Sequence, residues 1–161
     1  MNLDRLLKTD GSWLGLTTSD AATVWARPKT SERPGDPVVR AVRGRKCATK
    51  QSLLDEWSAA FQFGPHFGEN WDALLDCLTD RHVLPAGAVA LVSEAAHVLA
   101  KEPAEELATL AGVLREAAKR WRHPGPGHAA HPFCVVLQCV PGEAAAVRAR
   151  WEAAGAVVEA L

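Results

Sequence analysis

Between Glu69 and Asp80 the sequence contains no lysine and no arginine. It also lacks any run near the ~18 consecutive apolar residues that a membrane-spanning helix requires. The first residues, MNLDRLLKTDGSW, have no long apolar core, which argues against a secretory leader and makes a cytoplasmic protein the expectation. In that setting the four cysteines, Cys47, Cys77, Cys134 and Cys139, are expected to be reduced. Nor is there a surplus of positive charge. The formal net charge is −1, which argues against a general nucleic-acid binder. Internal repeats and low-complexity tracts are absent as well.

What is present suits one domain with appendages: 161 residues, 48% of them hydrophobic, enough for a sizeable core. The near-neutral total hides an asymmetry. From Asp55 to Glu116 there are eleven acids and three bases, an excess of eight negative charges. A negative middle of this size steers basic partners toward it.

The stretch FGENWDALLDCLTD, residues 67–80, concentrates that charge. At about 100° per residue it divides into two faces, with Trp71, Leu74, Leu75 and Leu78 on one and Glu69, Asp72, Asp76 and Asp80 on the other. Like charges at i, i+4 and i+8 cost an isolated helix roughly 0.2–0.5 kcal/mol per pair. A stripe kept at that cost suggests a surface for a cationic partner.

Around this helix the pattern is α/β. Strands are expected at Val38–Val42, Ala88–Val92 and Phe133–Val140, with a last short one at Val157–Glu159. Ser52 and Asp55 resemble a capping pair for a helix carrying Leu53, Leu54, Trp57, Ala60 and Phe61. A long helix is expected from Ala104 to Arg122, acidic at its start and basic at its end as the helix dipole favours. A final helix is expected near Gly142–Ala154, with Gly155 just beyond it. The strand–helix–strand order suggests a right-handed crossover and a parallel strand. Before Val38, two apolar pieces, Trp13–Leu16 and Ala22–Ala26, read as a hairpin, and Arg27–Pro37 as a proline-rich loop. The expected division is an N-terminal extension (1–37), an α/β domain (38–140) and a C-terminal helix–strand appendage (141–161).

The residues 67–80 motif resembles the signature of the barstar family, intracellular inhibitors of barnase-type ribonucleases. The resemblance extends to the preceding helix, the strand AVALV, the segment Val113–Ala117 and the strand FCVVLQ, about residues 38–140. It implies a small, mainly parallel sheet packed against helices, here extended at both ends. It implies that an acidic helix and adjoining loop fill the ribonuclease active site, with Asp72 and Asp76 as the principal acids and Glu116 as a further one. His66 and Phe67 take the family's aromatic pair, Gly68 and Asn70 match its loop, and Thr79 its motif end; Glu69 and Asp80 flank the helix. Three positions depart from the family: Leu75, Arg81 and His66 stand where it can carry aromatics.

On this reading the protein is an inhibitor or immunity protein and not an enzyme. It needs no cofactor or metal, contacts no nucleic acid or membrane directly, and is expected to be monomeric. Two alternatives remain: an interaction module for another basic protein, and a carboxylate-dependent enzyme using Asp72, Asp76 and Glu116. Each residue also has a plainer reading. Asp72 and Asp76 would be a solvated face, Glu116 an i,i+4 surface pair with Arg120, and Gly68 and Asn70 simple turn formers. His123, His128 and His131 with Cys134 and Cys139 match no zinc spacing, and the two cysteines read as core.

Overall fold

The structure, a computed structural model, describes residues 4–8, 11–26 and 35–161. Its elements in chain order are α1 (Asp4–Leu7), β1 (Leu14–Thr17), α2 (Ala21–Ala26), β2 (Val38–Arg43), α3 (Lys50–Phe61) and α4 (Trp71–Leu78). Then follow β3 (Ala88–Ser93), α5 (Ala104–Arg122), β4 (Phe133–Gln138), α6 (Ala144–Ala153) and β5 (Glu159–Ala160). The five strands form one sheet in the order β2-β3-β4-β1-β5. Every pairing is parallel.

An all-parallel sheet must be covered on both faces. Strand alternation sorts the side chains accordingly. Leu14, Leu16, Val42, Ala88, Ala90, Val92, Phe133, Val135 and Leu137 join the main core with α3, α4, α5 and α6. Val89, Leu91, Cys134 and Val136 face the other way, where Leu6 of α1 and Val24 of α2 pack with them. Burial pushes the Cys47 and Cys134 thiols up to about 12, as suits core residues.

The N-terminal piece departs from the expected hairpin. β1 pairs with β4 and β5 in parallel and with no neighbour in sequence. Ala22–Ala26 belongs to helix α2, because Asp20 caps it by accepting from the Thr23 amide at 2.9 Å. All four residues of β1 are buried, the signature of an interior strand with apolar neighbours on both sides. Gly15 allows this: a Cβ there would meet Leu161 Cδ1 at 2.4 Å and Leu6 Cδ1 at 2.8 Å. From the end of α5, Arg122 donates to the carbonyls of Gly11 and, at 2.8 Å, Ser12, holding the chain that leads into β1. The loop expected over Arg27–Pro37 falls largely outside the described residues.

Smaller differences concern ends. The α3 cap is Thr49, whose hydroxyl accepts from the Ser52 amide at 3.2 Å while Ser52 Oγ accepts from the Thr49 amide; Asp55 instead accepts from Gln51. A 3₁₀ turn, Pro141–Glu143, precedes α6, and β5 begins two residues later than expected. β5 is added in parallel, as expected, beside β1. α5 spans the expected residues, and Gly155 after α6 has φ +85°. At the end of β2, Arg43 clasps Glu56 of α3: its Nε and backbone N–H donate to Oε1 at 2.8 and 3.0 Å and Nη2 to Oε2 at 2.8 Å. These hydrogen bonds hold the Glu56 carboxyl below the usual carboxylate range, against the opposing pull of its burial.

Candidate functional site

The loop that leads into α4 is built on a run of ring contacts, two stacked and the last tilted. Trp57, Phe61, Phe63 and Phe67 follow one another with centroid separations of 5.3, 5.9 and 5.1 Å. This ladder runs from the core to the half-buried Phe67, while His66 beside it is exposed. Glu69 has φ +51°, a left-handed conformation that costs a non-glycine residue on the order of 1 kcal/mol. Asn70 then starts the helix. Its Oδ1 accepts from the Ala73 amide at 2.8 Å, and its Nδ2 donates to the Gly68 carbonyl at 3.1 Å. The strain at Glu69 and the cap at Asn70 together fix where the helix begins.

At eight residues α4 is too short to be stable alone. Leu74 and Leu78 anchor it in the core. Two indoles tie its ends to α5. At the start, Trp71 Nε1 donates to Glu106 Oε2 at 2.8 Å. At the end, Trp121 Nε1 donates to the Leu78 carbonyl at 2.7 Å, in a buried setting. Lys50 Nζ lies 5.3 Å from the centroid of the Trp71 ring. Thr79 closes the last turn, its hydroxyl donating to the Leu75 carbonyl at 2.9 Å.

On the opposite side Asp72 and Asp76 are exposed. Neither carboxylate has a hydrogen bond or ion pair among the described residues. One helical turn separates them, which places their Cβ atoms about 5–6 Å apart. Asp72 also lies in the first turn, where the helix dipole favours a carboxylate. The negative field is felt locally: burial first, then the Asp80 and Asp76 charges, push the Cys77 thiol upward.

The rest of the expected stripe is less regular. The helix stops at Leu78, so Asp80 is not on its face; its Oδ1 accepts from the His82 amide at 2.8 Å. Glu69 precedes the cap and is exposed. Glu116 lies on α5, where Arg120 Nε donates to it at 2.9 Å; this is the i,i+4 pair of the plainer reading. Arg81 stacks on Trp121, its Cζ 4.6 Å from the ring centroid, with Nη2 3.4 Å from the Ala129 carbonyl. Leu75 is half-buried against the core. Sequence reasoning missed Glu106 and Trp121 as partners of α4. Only the acid in the first turn of α5 and the tryptophan at the end of its apolar stripe hinted at them. Among the described residues no group of three or more His, Cys, Asp or Glu side chains is placed to hold a metal, and no helix is long and apolar enough to cross a membrane.

A family model described as Barstar (barnase inhibitor) matches residues 38–138. The chain belongs to the barstar family. The matched span contains α4, its cap, Glu106, Glu116 and Trp121, and leaves α1, β1, α2, α6 and β5 outside. The family is an inhibitor family, and its partner is a protein. No curated protein matches the chain. Among solved structures, Cdc6p from Pyrobaculum aerophilum aligns at TM-score 0.47 and 12% identity, over 91% of this chain and 37% of that one. This chain therefore spans little more than a third of that protein, and a likeness at that level bears on neither fold nor function.

Proposed function

We propose that this barstar-family protein inhibits a barnase-type ribonuclease by seating α4 in its catalytic cleft. A ribonuclease must bind phosphate and stabilise charge on the transferring phosphoryl group, so its cleft offers Arg, Lys and His donors. Asp72 and Asp76 take the places of RNA phosphates there, and they offer no bond to cleave. Phe67, with Gly68, Glu69 and Asn70, forms the loop side of the contact, and His66, Thr79 and Asp80 its rim. Glu116 contributes less, since it must loosen its pair with Arg120 to do so.

One observation carries this reading: two exposed carboxylates without partners, on a short helix fixed at both ends, inside the span that the family model matches. Like charges without counter-ions are a net cost to the free protein and a gain only against a cationic partner. Their exposure on one helix face also disfavours the carboxylate-enzyme alternative, which needs acids whose surroundings push their pKa values apart. In this role the protein acts inside the cell as an immunity protein, without a cofactor. The test is RNA cleavage by barnase titrated with the purified protein. Stoichiometric inhibition, lost in the Asp72→Asn/Asp76→Asn double variant, is expected; full inhibition by the double variant would rule the reading out.

A further inference from the structure

We infer that Glu106 and Trp121 are positioning residues for the acidic helix, fixing its roll and axial position so that Asp72 and Asp76 reach the partner together. This rests on the proposed function and extends it to two residues that carry no binding contact of their own. Apolar burial of Leu74 and Leu78 draws α4 onto the core, but the hydrophobic effect is non-directional. A roll of one residue swings a side chain through about 100°, enough to carry a carboxylate off the exposed face. The two indole hydrogen bonds supply the missing direction. Trp71 Nε1–Glu106 Oε2 fixes the first residue of α4, and Trp121 Nε1–Leu78 O fixes the last. Both partners lie on one long helix, α5, so the two ends of α4 are referred to the same rigid rod. The Leu78 carbonyl belongs to the last turn, where helix carbonyls lack intrahelical donors, so Trp121 also fills a vacancy there. Pre-organisation of this kind acts on the bound lifetime, because it lowers the ordering cost of the complex.

Glu106 provides a clean separation of roles. Glu106→Gln keeps the acceptor for Trp71 and removes the charge, whereas Glu106→Ala removes both. In the free protein, hydrogen exchange of the α4 amides from Leu74 to Leu78 is expected to quicken about fivefold in Glu106→Ala, the worth of one net hydrogen bond, and to stay at the parent rate in Glu106→Gln. Amides of β3 and β4 stay unchanged in both variants. With barnase as probe, Glu106→Ala dissociates about fivefold faster and Glu106→Gln at the parent rate. Trp121→Phe, if it folds, shows the same exchange pattern at Leu78 and beyond. Unchanged α4 exchange in Glu106→Ala overturns the inference, as does a Glu106→Gln variant that behaves like the alanine one, since charge rather than alignment would then be the cause. Failure of the parent to bind barnase, or undiminished binding by Asp72→Asn/Asp76→Asn, overturns the proposed function instead. The exchange measurement still decides whether the two residues hold the helix.

Discussion

Helix α4 and strand β1 are both short, and they treat polar groups in opposite ways. α4 shows solvent two carboxylates with no partner among the described residues. β1 hides all four of its residues and pairs with a strand on each side. α4 lies inside the span shared with the barstar family, and β1 outside it. The contrast separates two kinds of residue. Those of β1 are saturated by their own fold, so changing them changes stability. Those of α4 are left unsaturated, so changing them should leave the fold intact and alter what it meets.

The most severe way to break this contrast is to remove residues 1–17. The main core then loses Leu14 and Leu16, the second loses Leu6, and β4 loses one of its two neighbours. Loss of the cooperative unfolding transition is expected, since each buried leucine is worth about 2–5 kcal/mol against a total of about 5–15 kcal/mol. Leu14→Ala alone should lower stability by about 3 kcal/mol, read from the urea midpoint. A truncated chain that unfolds like the parent would mean that β1 is an ornament on the family domain.

The complementary change is Asp76→Asn. Stability should stay within about 0.5 kcal/mol of the parent. Binding to barnase should weaken by about 2 kcal/mol or more, roughly 30-fold, with Asp72→Asn next and Glu116→Ala smallest. A stability loss without a binding loss would place these acids with β1 instead.

Glu56 sharpens the comparison as the saturated carboxylate. Its folded pKa is depressed by the Arg43 hydrogen bonds, so its stabilising effect is complete above the ordinary glutamate range, about 4.3, and is lost as pH falls through the folded value. Glu56→Gln should therefore be less stable than the parent at pH 7, with the gap closing in acid; urea midpoints between pH 7 and pH 2 check this. Smallest is Asn70→Ala, which removes the cap of α4 at a cost of about 1 kcal/mol. Circular dichroism on thermal unfolding would show it.

How much could be read from the sequence follows the same division. α4 and α5 were legible because 3.6-residue periodicity separates their apolar and charged sides over several turns. So were β2, β3 and β4, which begin where the apolar runs begin, whereas the N-terminal piece was not. LGLT sets Leu14 and Leu16 on one face and Gly15 and Thr17 on the other, and four residues of that pattern fit an inserted parallel strand and one arm of a hairpin equally well. Ala22–Ala26 is equally ambiguous by pattern, and the Asp20 cap decides for a helix. Ser52 has the residue type of a cap but is the third helical residue, and Thr49 is the cap itself. Asp80 has helical spacing but lies past the helix end, which Thr79 sets. Glu106 and Trp121 are 35 and 43 residues from their partners, a separation no local pattern can reveal.

The claim that Asp72 and Asp76 occupy phosphate positions is tested most directly by competition. The affinity of the protein for barnase is measured by calorimetry at rising concentrations of a nucleoside monophosphate bound in the barnase cleft. Apparent affinity is expected to fall in proportion to nucleotide occupancy. Complex formation at full strength on nucleotide-saturated barnase would contradict the claim.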